Sequence, residues 1–371
     1  LRMLRSEVQI LLGAPLQIII MSFPGNISAI ILAAGYSSRM GRFKPMAPLG
    51  DSTAVELCVR LFRSSGIDDV CVVTGHRHDE LSGLLGSIGV RLQINRNFDE
   101  GMFSSIKAGV ASLEPGVKAF FVLPVDIPLV REYTVIRLLE EFSAGPVDVI
   151  YPCFKGRRGH PPLINGELVS GIKGFEGDGG LRGFLKGRLA TDVEVADENI
   201  LRDMDTDEQY HLMLERLKDH AIPSRQECMS FLRHVVHASE PFMTAAGRLA
   251  KINELISEAM KRNGKDINPK LTTALSCLLD LTEAPAIRET IPETIRRQFG
   301  DSDLFRIVQS TVAGGCPPAN VGPELEVVSI GRGILVETDV DLRERLLFDY
   351  GLDSDSVSAV KSILNTHQDV E

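Results

Sequence analysis

Paired cysteines, a net positive charge and a long uninterrupted hydrophobic run are all missing from this 371-residue sequence. The six cysteines, at positions 58, 71, 153, 228, 277 and 316, form no Cys-x-x-Cys pair and join no histidine at zinc-finger spacing. That speaks against a disulfide framework and a zinc finger. Most lie in apolar runs such as Val70-Cys71-Val72-Val73, where cysteine behaves as a small hydrophobe. This usage predicts a reducing, cytoplasmic setting. The formal net charge of −10 opposes a general duplex-DNA binder, because affinity for nucleic acid comes mostly from neutralised phosphates. A local basic pocket for a small polyphosphate is compatible with it. The longest apolar stretch near the amino terminus, about Val8 to Met21, is broken by Gly13, Pro15 and Gln17 and falls short of the ~20 residues of a membrane span. With Arg2 and Arg5 ahead of it, the stretch imitates a short signal peptide, but no small-x-small cleavage site precedes a spacer. Residues 1–20 are therefore expected to be an upstream extension, non-native or disordered, with translation starting at Met21. No membrane partner is expected. Also missing are a Walker A loop, an obvious Ser-His-Asp or Cys-His set, internal repeats and low-complexity segments.

Apolar residues at 44% and charged residues at 24% are ordinary globular values. At roughly 150 residues per domain, the length predicts two. From Ile27 short apolar runs alternate with amphipathic stretches. Strands are expected at Ile27–Leu32, Val70–Thr74, Val90–Asn95, Lys118–Val125 and Val147–Tyr151. Helices are expected at Thr53–Arg63, opened by a Thr53/Glu56 capping box, at Phe103–Leu113, and at Arg131–Phe142. Continuous apolar strands separated by helices predict an α/β domain with a mostly parallel sheet covered on both faces. Such a sheet binds ligands beyond the carboxyl ends of its strands. After Ala221-Ile222-Pro223-Ser224 helical patterns dominate, at Cys228–Ala238, Phe242–Arg262, Pro269–Leu281 and Ile291–Phe299. The expected division is residues 21–220 and an α-helical domain over 223–371.

The most informative string is Leu32-Ala33-Ala34-Gly35-Tyr36-Ser37-Ser38-Arg39-Met40-Gly41-Arg42-Phe43-Lys44. Small residues after a strand let the backbone approach a ligand, and turn amides of this kind cradle anions. Arg39 and Lys44 add two cations suited to a triphosphate. Asp126 falls just past a buried strand, where a lone carboxylate needs a cation or hydrogen bonds. Asp203 and Asp205 are further hard oxygen ligands of the type Mg²⁺ takes beside phosphates, or else helix N-caps. Ser104 and Ser105 are either helix caps or nucleotide contacts.

The thirteen-residue string resembles the signature of the molybdenum cofactor nucleotidyltransferases, the CTP:molybdopterin cytidylyltransferase-like group related to molybdopterin-guanine dinucleotide synthase. Further matches follow in order: Thr74-Gly75-His76; Asn95 to Met102, then Ser104-Ser105; Leu123-Pro124-Val125-Asp126-Ile127-Pro128; Gly156 to Pro162; Gly177 to Arg182; and Asp203-Met204-Asp205-Thr206. The resemblance spans about Ile27 to Leu217. It implies a glycosyltransferase-A-like nucleotide-diphospho-sugar transferase fold. It implies nucleotide binding at Leu32, Ala33, Ala34, Gly35, Arg39, Lys44, Thr74, Gly75, Asn95, Ser104, Ser105 and Asp126. Catalysis would rest on Lys44, Arg39 and Asp126, with Mg²⁺ on Asp126 and Asp205 and Asp203 in reserve. The second substrate would meet Arg158, Gly159, His160, Asp178, Gly179 and Arg182, with Arg157 nearby and His160 positioning rather than acting as a base. The implied reaction transfers a nucleotide, CMP from CTP, to molybdopterin with loss of pyrophosphate. CTP is favoured because the loop reads Leu-Ala-Ala-Gly, as in cytidylyl enzymes, rather than Leu-Ala-Gly-Gly. A molybdoenzyme or its maturation chaperone is a further expected partner. Two alternatives stay open: another cytidylyl- or sugar-phosphate nucleotidyltransferase of this fold, and a cofactor-binding and delivery protein without turnover. The second domain resembles a degenerate His-Asp metal phosphohydrolase. His237 fits the first ligand position, but the His-Asp pair reads Leu279-Asp280, a later histidine position reads Ile287, and the last Asp position lies in Gly331-Arg332-Gly333. Its expected role is structural, regulatory or interactive.

Overall fold

A computed structural model describes residues 26–314, 322–336, 347–348 and 352–365. The expectation for residues 1–20 lies outside the described residues, as does Cys316. The chain divides into two compact units that part between His220 and Ala221.

The first unit is built on a sheet whose strands are β1 (Ile27–Ala33), β4 (Asp69–Thr74), β5 (Arg91–Ile94), β6 (Ala119–Pro124), β7 (Val149–Phe154), β8 (Arg157–Arg158), β9 (Leu163–Asn165) and β10 (Ala190–Glu194). A separate two-stranded ribbon pairs β2 (Pro48–Leu49) with β3 (Ser52–Thr53). The main order is β10-β7-β9-β6-β1-β4-β5, with β8 folded back on β7. β1 runs parallel to both β4 and β6, β4 to β5, and β7 to β10. β9 is antiparallel to β6 and β7 on either side of it. The mostly parallel α/β sheet expected from the apolar runs is present; the antiparallel β9 and the edge strand β10 were not legible as strands.

Alternation along β1 feeds two cores. Ala29, Ile31 and Ala33 enter one, with Phe62, Phe121 and Leu138; Ile30, Leu32 and Ala34 enter the other, with Ile106 and Phe120. Burial on both faces is what a continuous apolar strand in a parallel sheet requires. The helix Ala54–Ser64 starts where the sequence placed it, with Thr53 and Glu56 closing a reciprocal capping box. The helix Met102–Ala111 lies close against the sheet, and a Cβ at Gly109 would come within 2.5 Å of the Ile30 side chain. The helix Glu132–Ala144 is tied at its start by Asp197, which accepts from the Arg131 amide and the Thr134 hydroxyl, both at 2.8 Å. Register aligns Leu32 with Val73 and Pro124, so the carboxyl ends of β1, β4 and β6 share one edge. The small-residue loop after β1, Thr74-Gly75-His76 and the Asp126 loop leave the sheet at this edge.

The described residues of the second unit are helical. Arg225–His234 is capped by a Ser224/Glu227 box and followed by Glu240–Arg262, Pro269–Leu278, Ile291–Phe299, Asp303–Val312, Gly322–Val336 and Ser354–Asn365. Ile252, Ile256 and Ala259 pack with Val327, Ile334, Val357 and Val360 in one core. The helix expected to reach Leu281 ends at Leu278 and continues as a 3₁₀ turn, Leu279–Glu283. Asp280 on that turn is bonded by Arg332, so a guanidinium takes the carboxylate that the resemblance assigned to a metal-ligand position. Burial pushes the Asp280 carboxyl above its ordinary range, against the opposing pull of Arg332. Among the described residues, no helix is long and apolar enough to cross a membrane.

Candidate active site

The loop after β1 is shaped by its own side chains. Ser37 adopts a left-handed backbone, with φ of 58°, and its hydroxyl accepts from the Lys44 amide at 3.0 Å. That folds the loop back so that Lys44 opens the short turn Lys44–Met46 with its side chain directed at two carboxylates. The Lys44 ammonium donates to Asp126 Oδ2 at 3.1 Å and to Asp205 Oδ1. Arg39 donates to the other Asp205 oxygen at 2.8 Å. The Lys44 side chain is only 12% exposed, whereas Arg39 is 75% exposed. The Lys44 hydrogen bond holds the Asp205 carboxyl below the usual carboxylate range, and burial opposes that shift. Two cations and two anions thus close a cluster of zero net charge at the carboxyl edge of β1 and β6.

Backbone bonds fix the carboxylates in place. The Met204 amide donates to the Asp126 carbonyl at 3.0 Å, joining the loop after β6 to the segment that carries Asp205. Gln209 accepts from the Asp205 and Thr206 amides at 2.8 and 2.9 Å and donates to Asp203 at 2.9 Å. The helix Asp207–Lys218 is capped by Thr206, so neither Asp203 nor Asp205 serves as its N-cap. Asp203 is engaged by Gln209, whereas Asp205 joins Asp126. Mg²⁺ commonly takes one or two carboxylates and completes its shell with phosphate and water. The Asp126–Asp205 pair fits that chemistry. Among the described residues, no group of three or more His, Cys, Asp or Glu could hold a metal ion unaided.

The expected nucleotide contacts divide into two kinds. Leu32, Ala33 and Ala34 are buried, and Gly35 is open. The Ala34 carbonyl accepts from the His76 amide at 3.1 Å, linking the ends of β1 and β4. A Cβ at Gly75 would lie 2.9 Å from Ala34 Cβ and 2.8 Å from Phe98, so only glycine fits there. The Ala34 methyl therefore packs against Gly75. The Thr74 side chain is fully buried, with its hydroxyl 2.8 Å from His78 Nδ1. Asn95 donates to Ser104 and Ser105 at 2.8 and 3.0 Å and accepts from the Asn97 amide at 3.0 Å. The helix Met102–Ala111 is capped by Gly101 without a side-chain bond, which corrects the reading of Ser104 and Ser105 as caps. Together with Asn95 they form a hydroxyl–amide cluster at its first turn.

The residues expected for the second substrate lie in three places. Burial lowers the basicity of the His160 imidazole and the Asp126 charge opposes it, for a net downward shift. Its Nδ1 is buried without a hydrogen-bond partner. Gly159 packs on Ile200, where a Cβ would come within 2.5 Å of the Ile200 carbonyl. Arg158 is exposed, bonds Asp192 at 2.7 Å and lies 4.3 Å from the Tyr151 ring centroid. Arg182 is near enough to Tyr151 for its charge to act on the phenol. Asp178 and Gly179 precede the short helix Gly180–Leu185, with Gly179 at φ of 83° and Gly180 against Phe103. Ser37 and Gln209 were missed by sequence reasoning as positioning residues. The signal for Gln209 was present in Thr206-x-x-Gln209, a capping-box spacing.

A parallel α/β sheet with a small-residue loop, two cations and paired carboxylates at its carboxyl edge defines a nucleotide-handling transferase unit. More specifically, residues 29–194 match the family described as MobA-like NTP transferase domain. The chain is 28% identical over 195 residues to purine catabolism protein PucB of Bacillus subtilis, covering 50% of this chain and 94% of that one. It is 27% identical over 192 residues to the molybdenum cofactor cytidylyltransferase of Escherichia coli, covering 51% and 96%. A solved nucleotidyl transferase from Methanothermobacter thermautotroptrophicus aligns at 25% identity and a TM-score of 0.46, covering 52% and 97%. Residues 29–194 thus carry an NTP transferase domain.

Proposed function

We propose that the protein transfers CMP from CTP to the terminal phosphate of molybdopterin, with release of pyrophosphate. The observation that carries this reading is the Lys44 ammonium held between Asp126 and Asp205 at the edge where β1 and β6 end. The name of the Escherichia coli relative supports both the base and the acceptor. In the reaction a phosphate oxygen of the acceptor forms a bond to the α-phosphorus while the bond to the β-phosphate oxygen breaks. The nucleophile is already an anion, so no general base is needed. Lys44 and Arg39 exchange their carboxylate partners for phosphate oxygens, and the loop amides after β1 add further donors. Asp126 and Asp205, released by Lys44, are the residues that would hold Mg²⁺. When bound, Mg²⁺ supplies Lewis-acid charge neutralisation at the phosphates. The remaining contribution is positioning of two anionic substrates in line.

The test is incubation with Mg²⁺, molybdopterin and CTP, GTP, ATP or UTP separately, with pyrophosphate as readout. Release with CTP above the others is expected. Nucleotide binding without pyrophosphate from any triphosphate would favour a delivery protein instead. Pyrophosphate release with a sugar phosphate and not with molybdopterin would move the acceptor to another class. The preference for CTP over GTP should be modest, because packing differences of one methyl are worth only about 1–3 kcal/mol.

A further inference from the structure

The loop after β1 carries a third cation that the proposed reaction leaves unused. Arg42 donates to Asp207 at 2.7 Å, and its guanidinium carbon lies 4.4 Å from the Tyr210 ring centroid. Both partners belong to the helix Asp207–Lys218, which begins two residues after Asp205. Tyr210 is a firm support, since it is buried and its hydroxyl donates to the Pro48 carbonyl at 2.7 Å. His211 Nε2 lies 3.2 Å from the other Asp207 oxygen. On the loop itself, Met40 and Phe43 are buried on either side of Gly41-Arg42, and Gly41 has a φ of 70°. Glycine takes that backbone conformation without the steric cost other residues meet. Three cations of one loop thus reach a three-residue stretch, with Arg39 and Lys44 on Asp205 and Arg42 on Asp207.

We propose that Arg42 is a positioning residue that latches the loop to this helix while Arg39 and Lys44 change partners. This rests on the reading of the Lys44 cluster as a triphosphate site. In the ligand-free protein Arg42 makes one of three ionic ties from the loop to residues 205–207 among the described residues, so its loss is shared by the other two. An exposed ion pair adds little to fold stability in any case. Once a triphosphate draws Arg39 and Lys44 off Asp205, Arg42 is the remaining tie of the three. The loop must then keep its shape around the phosphates, and any freedom it has regained is entropy that binding must remove. A guanidinium suits the task, because it can donate to a carboxylate and lie over an aromatic ring at once. Asp207 and Tyr210 also stand outside the Asp126–Asp205 pair, so a metal arriving at that pair takes neither contact away.

The test is a double-mutant cycle on Arg42 and Asp207, read by calorimetric titration of CTP and of inorganic tripolyphosphate. Arg42→Met should weaken both ligands by roughly fivefold, the scale of one exposed ion pair together with one cation–π contact. Asp207→Asn should weaken both in the same direction, and the double variant should be no weaker than Arg42→Met alone. Arg42→Lys, which keeps the charge, should recover part of the loss. Melting temperatures without ligand should stay at the native value in all four variants. Weaker binding in Arg42→Met beside native affinity in Asp207→Asn would overturn the latch, because Arg42 would then be a direct phosphate contact. Native affinity in both single variants, with binding still weakened by Lys44→Met, would also overturn it and leave the triphosphate site intact. Failure of the native protein to bind CTP or tripolyphosphate at all would overturn both.

Discussion

Replacing Lys44 with methionine keeps most of the side-chain stem and removes the charge that joins Asp126 to Asp205. In the ligand-free protein that ammonium occupies the space between the carboxylates that a divalent cation would need. Two unit charges 4 Å apart interact by about 4 kcal/mol at an effective dielectric of 20, and a divalent ion doubles that repulsion. Lys44 can swing away, and its partners are about one-fifth exposed, so only part of this penalty is felt. A rise of about tenfold or more in Mn²⁺ affinity without nucleotide is the expected outcome for Lys44→Met, corresponding to at least ~1.4 kcal/mol. Free Mn²⁺ measured by electron paramagnetic resonance reads this directly, independent of turnover. The same variant should bind tripolyphosphate more weakly, because Lys44 must serve the phosphates once the carboxylates take a metal. Unchanged or lower Mn²⁺ affinity in a folded Lys44→Met protein would refute the reasoning and place the metal elsewhere. The pH dependence gives a second check. Lys44 lowers the pKa of Asp205, so its stabilisation is complete above the ordinary carboxylate range and fades as pH falls through the lowered folded value. The difference in thermal stability between native protein and Lys44→Met should therefore be largest near neutral pH and shrink under acid.

Asp126→Asn should abolish pyrophosphate release at every Mg²⁺ concentration while circular dichroism stays native, whereas Lys44→Ala should retain slow turnover with a raised KM for the triphosphate; near-normal activity in Asp126→Asn would remove that residue from the metal pair. Gly75→Ala should lower the melting temperature, because its methyl would meet Phe98 and Ala34 below 3.0 Å, and overpacking of this kind costs about 1–3 kcal/mol; an unchanged melting curve would show that the β1 and β4 loops yield freely. The full chain should hydrolyse no phosphate ester with Mn²⁺, Ni²⁺ or Fe²⁺, since Leu279 lacks a ligand atom and Asp280 is held by Arg332; metal-dependent hydrolysis lost in Asp280→Ala would contradict this.

The parts of the fold that sequence reasoning recovered are those in which local pattern and tertiary role agree. β1, β4 and β6 are buried on both faces, so their residues read as unbroken apolar runs wherever they pair. The Thr53/Glu56 box marked a helix start because the capping bonds are local. β9 did not announce itself, since a three-residue strand following a cis His160-Pro161 bond has too short a pattern to separate from a loop. Boundaries shifted where a cap lay outside the apolar repeat, as at Ser224, which starts its helix at Arg225 rather than Cys228. At the site, Arg39, Lys44, Asp126 and Asp205 were legible by residue type, because opposite charges at strand ends are costly unless they meet. What pattern could not convey was which of them meet in the absence of substrate. Lys44 was expected on phosphates and is found on carboxylates.

On the proposed reaction, moving Lys44 from carboxylates to phosphates would let one cluster serve before and during turnover. Without ligands, two partly buried carboxylates facing each other would repel, and Lys44 with Arg39 offsets that repulsion. A triphosphate brings its own anionic oxygens and competes for both cations. Once they leave, Asp126 and Asp205 become a pair of unpaired carboxylates beside phosphate, the arrangement in which Mg²⁺ binds well. Coupling of this kind is reciprocal: if the triphosphate raises metal affinity by drawing Lys44 away, the metal must raise triphosphate affinity by the same factor. Titration of CTP with and without Mn²⁺, and of Mn²⁺ with and without CTP, should give one coupling factor in the native protein. In Lys44→Met that factor should shrink, because the carboxylates are already free when the nucleotide arrives. A coupling factor as large in the variant as in the native chain would mean that direct metal–phosphate bonds account for all of it, and that Lys44 guards nothing.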